Sequence, residues 1–176
     1  MADQPTPPAF NKTSIAVIWI VLLGLTTLIF NHVLKDINNP NQQLSITTNE
    51  FGEQQIILER NRYGHYLATG QINDQSVEFL LDTGATLVAV PEHIANRLNL
   101  KKGRTYKSQT ANGLSTSYAT TIDKLTLGGI VMTNVPASIS SGMDFDEILL
   151  GMSFLKHLEL SQQGKQLTIR VPEQTY

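Results

Sequence analysis

The chain has 176 residues and carries 13 Lys and Arg against 15 Asp and Glu, a formal net charge of -2. That balance gives no electrostatic case for nucleic acid as a partner, and the length allows one modest domain plus an appendage. Cysteine is absent, which excludes disulfides, thiolate metal sites and a cysteine nucleophile. The histidines, His32, His65, His93 and His157, are scattered without a paired ligand spacing, so neither a metal nor a cofactor is expected.

Residues 1–13 are polar and contain Pro5, Pro7 and Pro8, the composition of a disordered leader. Ser14 to Phe30 holds no charged residue. Extended to Leu34, it gives about 20 helical residues, roughly 30 Å at 1.5 Å each, the thickness of a bilayer core. Residues 14–34 therefore read as one transmembrane helix. A cleaved signal peptide is the rival, but its apolar region is usually shorter and followed by small residues. Asn31-His32-Val33-Leu34-Lys35 offers no such site. Lys12 before the span and Lys35 after it, with Asp36 alongside, leave the positive-inside count close to a tie. The short N-terminal side, with its own amino group, leans cytoplasmic. Residues 35–55, rich in Asn, Gln, Thr and Ser, read as a polar linker, and 56–176 as the folded domain.

The domain is expected to be mostly β. A short strand starts at Ile56-Ile57-Leu58. His65 to Ile72 and Ser76 to Leu81, rich in β-branched and aromatic residues around Asn73-Asp74-Gln75, form a hairpin. Leu87 to Val90 is a further strand, and Pro91 opens a helix running to about Leu98, with Ile94, Ala95 and Leu98 on one face and Asn99 at its end. Strands over Tyr106 to Thr110 and Leu114 to Thr121 flank Ala111-Asn112-Gly113, a strong hairpin-turn signal. Ile122 to Leu127 and Ile130 to Val135 form another hairpin around Gly128-Gly129, followed by a short strand to Ile139. Glu147 to Leu150 is an apolar strand that meets Gly151 and enters a short helix to about Leu158. Gln166 to Val171 supplies the last hairpin strand after the turn Gln163-Gly164-Lys165.

One stretch stands out chemically. The apolar run Phe79-Leu80-Leu81 delivers Asp82 into a turn of small and hydroxyl residues, Thr83, Gly84, Ala85 and Thr86. Gly84 is suited to unusual backbone angles and to close approach, and Thr83 and Thr86 can hydrogen-bond locally to hold the turn. Taken alone, the pattern is also what a buried strand ending in an Asx-type turn looks like. The second apolar strand, ending in Leu150-Gly151, echoes it about 65 residues later as a faint internal repeat.

The apolar-apolar-Asp-Thr-Gly-Ala signature, the later Leu-Leu-Gly strand and the N-terminal span together resemble the retropepsin-like aspartic proteases. The likeness covers roughly His65 to Val171 and is nearest to the bacterial membrane-anchored, single-lobe type. It rests on Gly64-His65, Gly70-Gln71-Ile72-Asn73, FLLDTGAT, Ala111-Asn112-Gly113 and LLGMSFL. The resemblance implies an acid-protease lobe with one short helix after the active-site strand and a short C-terminal helix, preceded by the membrane helix. It implies Asp82 as the catalytic aspartate and Thr83 as the hydroxyl bracing two active-site turns against each other. Gly84 and Ala85 would complete that turn, Asn112 and Gly113 would lie in a flap over the substrate, and Leu150 and Gly151 would form the second glycine strand. Retroviral members usually carry Arg shortly after that glycine, where it supports the dimer; here Met152 and Ser153 follow.

Peptide hydrolysis of this class needs two carboxylates, one accepting a proton from water and one donating to the carbonyl oxygen. The chain has one Asp-Thr-Gly, and Asp144 and Asp146 lack that context. The resemblance therefore implies a homodimer with Asp82 from each subunit, acting on peptide or protein substrates. It further implies a bacterial inner-membrane protein, single-pass, with its protease domain on the periplasmic side. Two rivals stand beside this reading. One is a catalytically silent peptide-binding or dimerisation module of the same fold. The other makes Asp82 a phospho-acceptor, which would call for further acidic metal ligands that Leu80-Leu81 do not supply.

Overall fold

In the computed structural model the described residues are 11–50, 52–110 and 113–172, and they fall into two units, divided between Asp36 and Ile37. The first is essentially one helix, α1 (Lys12–Asn38). It has no buried residue and is long and apolar enough to cross a membrane. The Thr26 and Thr27 hydroxyls donate to the carbonyls of Leu22 and Leu23, at 2.7 and 2.8 Å. Satisfying a hydroxyl on its own helix in this way makes it tolerable in hydrocarbon.

In the second unit, β1 (Thr47–Thr48) and β2 (Gln54–Glu59) lead into a hairpin of β3 (Leu67–Ile72) and β4 (Gln75–Leu81). Asn73 and Asp74 both take positive φ, 49° and 64°, the conformation that matches a two-residue turn to the strands' twist. The first arm begins at Leu67 rather than at His65, because the backbone of His65 is engaged with Asn61 in both directions. Next come β5 (Val88–Pro91) and α2 (Glu92–Arg97). Ile94, Ala95 and Leu98 are buried as expected, and Asn99 ends the helix with φ 55°.

β6 (Thr105–Thr110), β7 (Gly113–Leu127) and β8 (Ile130–Ser140) follow. The four strands read separately between Leu114 and Ile139 are thus two long ones. The composition changes along β7 because its partner changes. Its first half pairs with β6, and Leu125 and Leu127 pair with Ile72 and Gly70 of β3. The β7–β8 turn is Gly128-Gly129, with φ of 56° and 100°. β9 (Ile148–Leu150) and α3 (Met152–Leu155) come next, the helix ending three residues before the expected Leu158. The hairpin of β10 (Glu159–Gln163) and β11 (Gln166–Arg170) completes the order.

Two sheets result. One runs β1-β2-β11-β10, and the other β3-β4-β9-β5-β8-β7-β6, with a further β3–β7 pairing. That pairing closes six strands into a ring and leaves β6 at the edge, so the β6–β7 hairpin extends beyond the ring. Both sheets share one apolar core; Phe79, Ile72, Leu125, Phe154, Ile56 and Leu58 have at most 1% of their surface exposed.

The polar stretch expected as a linker is partly built into this domain. Asn39 and Asn41 are buried. Asn39 Nδ2 donates to Thr69 Oγ1 and Glu78 Oε1, both at 3.1 Å. Asn41 Nδ2 donates to the carbonyls of Glu59 and Leu67, and its Oδ1 accepts the Glu59 amide at 2.7 Å. Side-chain amides replace a backbone ladder where β2 gives way to β3, a role that polar composition alone does not reveal.

Candidate active site

The β4–β9 pair is parallel, with Leu80 opposite Leu149 and Leu81 opposite Leu150. The register puts Asp82 opposite Gly151, so the faint repeat in the sequence is a physical pairing. The Asp82 amide donates to the Leu150 carbonyl at 3.2 Å. One residue on, the Met152 amide donates to Ala85 O at 2.8 Å and the Ser153 amide to Thr86 O at 3.0 Å. The Val88 amide donates to Ser153 Oγ at 2.9 Å. The Asp82 turn is therefore pinned by the segment that follows the second apolar strand.

Gly151 shows why nothing larger stands there. A Cβ at that position would lie 2.2 Å from Leu87 O and 2.6 Å from Ala85 O, distances that real Cβ atoms do not adopt. Its φ is -90°, so the constraint is space rather than backbone angle.

Asp82 itself is half-buried. Its Oδ1 accepts the Gly84 amide at 2.9 Å, and its carbonyl accepts the Ala85 amide at 3.2 Å. Its second carboxylate oxygen receives no hydrogen bond from the described residues. A carboxylate fixed through one oxygen and open at the other can bind water or exchange a proton. Two local expectations change. Gly84 is not in the positive-φ region; its smallness matters because a Cβ would sit 3.1 Å from Asp82 Oδ1. The Thr83 and Thr86 side chains do not hold the turn. Both are exposed and have no hydrogen-bond partner among the described residues, while the Asp82 carboxylate takes the Gly84 amide.

Asp82, Gly84, Ala85 and Thr86 line a cleft of about 750 Å³. Its far wall comes from the β6–β7 hairpin and β8, with Tyr106 and Ser117 facing in, and from the 141–147 loop, with Met143 and Phe145. Gly113 opens β7 opposite Thr110 with φ 104°; Asn112, the other expected flap residue, lies outside the described residues. Leu150 and Gly151 are buried behind the turn rather than on the cleft. Of the two tyrosines near the hairpin, Tyr106 lines the cleft, and Tyr118 instead lies under Lys102 Nζ, 4.8 Å from its ring centre.

Several residues of this arrangement escaped the sequence reading. Ser153 looked like a departure from a pattern, yet its hydroxyl ties β5 to the second glycine strand. Ser117, Ser138 and Ser140 line the cleft from β7 and β8. The spacing of two between Ser138 and Ser140 is the one signal that pointed to a shared face, and Ser117 joins them only by pairing with Ser140. Arg104 also lines the cleft. Its neighbour Lys102 is bonded to Glu92, and that hydrogen bond, together with the Glu92 charge, holds the lysine pKa above its ordinary value. Asp146, one of the loop carboxylates, pairs with His93 Nε2 at 2.8 Å. Among the described residues no group of three or more acidic or histidine side chains is placed to hold a metal.

Residues 68–157 match a protein-family model described as "gag-polyprotein putative aspartyl protease". A crystal structure of a retropepsin-like aspartic protease from Rickettsia conorii is 32% identical, with a TM-score of 0.55, over 65% of this chain and 97% of that one. An uncharacterized protein encoded in the cobV 5' region of a Sinorhizobium species is 26% identical over 82% of this chain. An uncharacterized protein of Rickettsia prowazekii is 31% identical over 68% of it. The chain spans 66% and 52% of the lengths of these two relatives.

Proposed function

The chain belongs to the retropepsin-like aspartic protease family, and from that premise we propose that it is a membrane-anchored aspartic endopeptidase working as a two-fold homodimer. The observation that carries this reading is the Asp82 carboxylate, fixed by the Gly84 amide through one oxygen and open at the other, on a cleft of about 750 Å³. Each lobe supplies one such carboxylate. Two of them brought together across a two-fold axis can hold one proton between them, so that one carboxyl serves as acid and the other as base; aspartic proteases are the standard example of this pairing. The ionised member takes a proton from a water held between them as its oxygen attacks the peptide carbonyl. The protonated member donates to the carbonyl oxygen, giving a tetrahedral intermediate. Proton return to the amide nitrogen then breaks the C–N bond and frees an amine and an acid.

The exposed, unpartnered Thr83 hydroxyl supports a dimer, since it is free to meet its counterpart from a second subunit. Substrate lies extended between the lobes under the β6–β7 hairpin, pairing through its main chain. Helix α1 anchors the chain in the bacterial inner membrane, with the catalytic unit on the periplasmic side. Confinement to a membrane raises the effective concentration at which two lobes meet.

The test uses the full chain in detergent micelles, wild type beside Asp82→Asn, incubated with a diverse peptide library from acid to neutral pH. Mass spectrometry should find cleavage by the wild type and none by the variant. Equal cleavage by both, or a folded, dimeric wild type that cuts nothing, would remove the catalytic reading.

A further inference from the structure

The cleft that Asp82 lines also carries a cation with no counter-charge among the described residues. Arg104 is exposed on the cleft, and its guanidinium has no partner among the described residues. Its neighbours are already engaged: Lys102 with Glu92, and Lys107 Nζ with Thr116 Oγ1 at 2.9 Å. Among the described residues, Asp82 and Arg104 are the two charged ones lining the cleft. The reaction occupies Asp82, which leaves Arg104 to whatever else enters.

Strand register groups this cation with hydroxyls. The Arg104 carbonyl accepts the Ala119 amide at 2.9 Å, Ala119 pairs with Ser138, and Ser138 with Ala89. Two residues along each strand, Tyr106 pairs with Ser117 and Ser117 with Ser140. Positions two apart share a face of a sheet, and the two rows are about 7 Å apart. Ser138 and Ser140 are 7% and 4% exposed, and Ser140 Oγ finds no hydrogen-bond partner. A buried hydroxyl left unpaired is disfavoured, and a polar atom reaching the floor of the cleft would relieve it.

We propose that Arg104, with the Ser138 and Ser140 hydroxyls, forms a subsite for the carboxylate of a substrate Asp or Glu side chain, so that the cleft selects acidic peptides. Arginine presents its donors in a planar fork matched to a carboxylate, and hydroxyls donate to the same acceptor. A neutral substrate leaves the guanidinium without a counter-charge in the closed cleft. In the dimer the subsite occurs twice, once on each side of the scissile bond. The inference rests on the protease reading and deepens it.

The experiment uses the full chain in micelles and capped peptides in which a side chain is the sole carboxylate, at a pH where that carboxylate is ionised. Glu/Gln and Asp/Asn pairs are compared at one position at a time. A charge-assisted hydrogen bond predicts that at one position or more the acid is cut about tenfold faster than its amide. Arg104→Gln should bring that ratio to about one, and Arg104→Glu should turn the preference toward Lys-containing peptides. Wild-type cleavage without acid/amide discrimination overturns the subsite and leaves the protease reading standing, as does a ratio that survives Arg104→Gln. If the wild type cuts nothing, the protease reading fails and binding decides. Fluorescence polarisation of labelled Glu and Gln peptides on Asp82→Asn should then show tighter binding of the acid, lost when Arg104→Gln is added. Equal affinities overturn the subsite.

Discussion

The amide of Asp82 donates to the carbonyl of Leu150 at 3.2 Å, hanging the candidate catalytic turn from the end of a strand far along the chain. The same segment receives Gly151 in direct contact with the Leu87 and Ala85 carbonyls. Position and packing of the carboxylate are therefore one property.

Gly151→Ala tests that coupling. Its methyl has no room against two backbone oxygens, and overpacking of this kind costs about 1–3 kcal/mol. Chemical denaturation should show the loss of stability, and peptide cleavage should fall with it. A variant of wild-type stability would mean that the turn shifts freely away from β9.

Ser153→Ala removes the acceptor of the buried Val88 amide. An unsatisfied buried amide costs about 1–3 kcal/mol, and Ser153→Thr, which keeps the hydroxyl, should recover part of it. Thermal unfolding of the three proteins gives the ranking.

Asn41→Ala strips three hydrogen bonds to the backbone of β2 and β3. We expect a stability loss of about 3 kcal/mol, with faster amide exchange at Glu59 in hydrogen-exchange mass spectrometry. Unchanged exchange there would show that the polar stretch is merely a tether.

Asp82→Asn should lower the cleavage rate by at least about a hundredfold, the low end of what a positioned acid or base contributes, without changing the unfolding midpoint by more than about 1 kcal/mol.

Thr83→Ala should weaken self-association of the full chain in micelles, read by sedimentation or by the concentration dependence of cleavage. Thr83→Ser, which keeps the hydroxyl, should restore it. Dimerisation indifferent to both changes would detach Thr83 from the subunit interface.

What the sequence determined by itself was local. Apolar runs of strand length, the Gly128-Gly129 turn and the uncharged stretch from Ser14 to Phe30 are all encoded within a few residues and appear in the structure. The turn read over Asn73-Asp74-Gln75 keeps its first two residues while Gln75 joins β4, and Pro91, read as opening a helix, ends β5 so that the helix starts at Glu92. The Asp-Thr-Gly turn and its echo at Gly151 were legible for the same reason. The tertiary structure decided what depends on pairing across the chain. The ring closed by β3 against β7 merges four expected strands into two. The linker's Asn39 and Asn41 become buried because β2, β3 and β4 offer them backbone and side-chain partners that no local window contains. The turn is held by the Asp82 carboxylate and by Ser153 rather than by Thr83 and Thr86. Arg104 lines the same cleft as Ser138 and Ser140 only because β6, β7 and β8 pair in one register. Periodicity and turn chemistry are short-range; register, burial and counter-charge are settled only when distant segments meet.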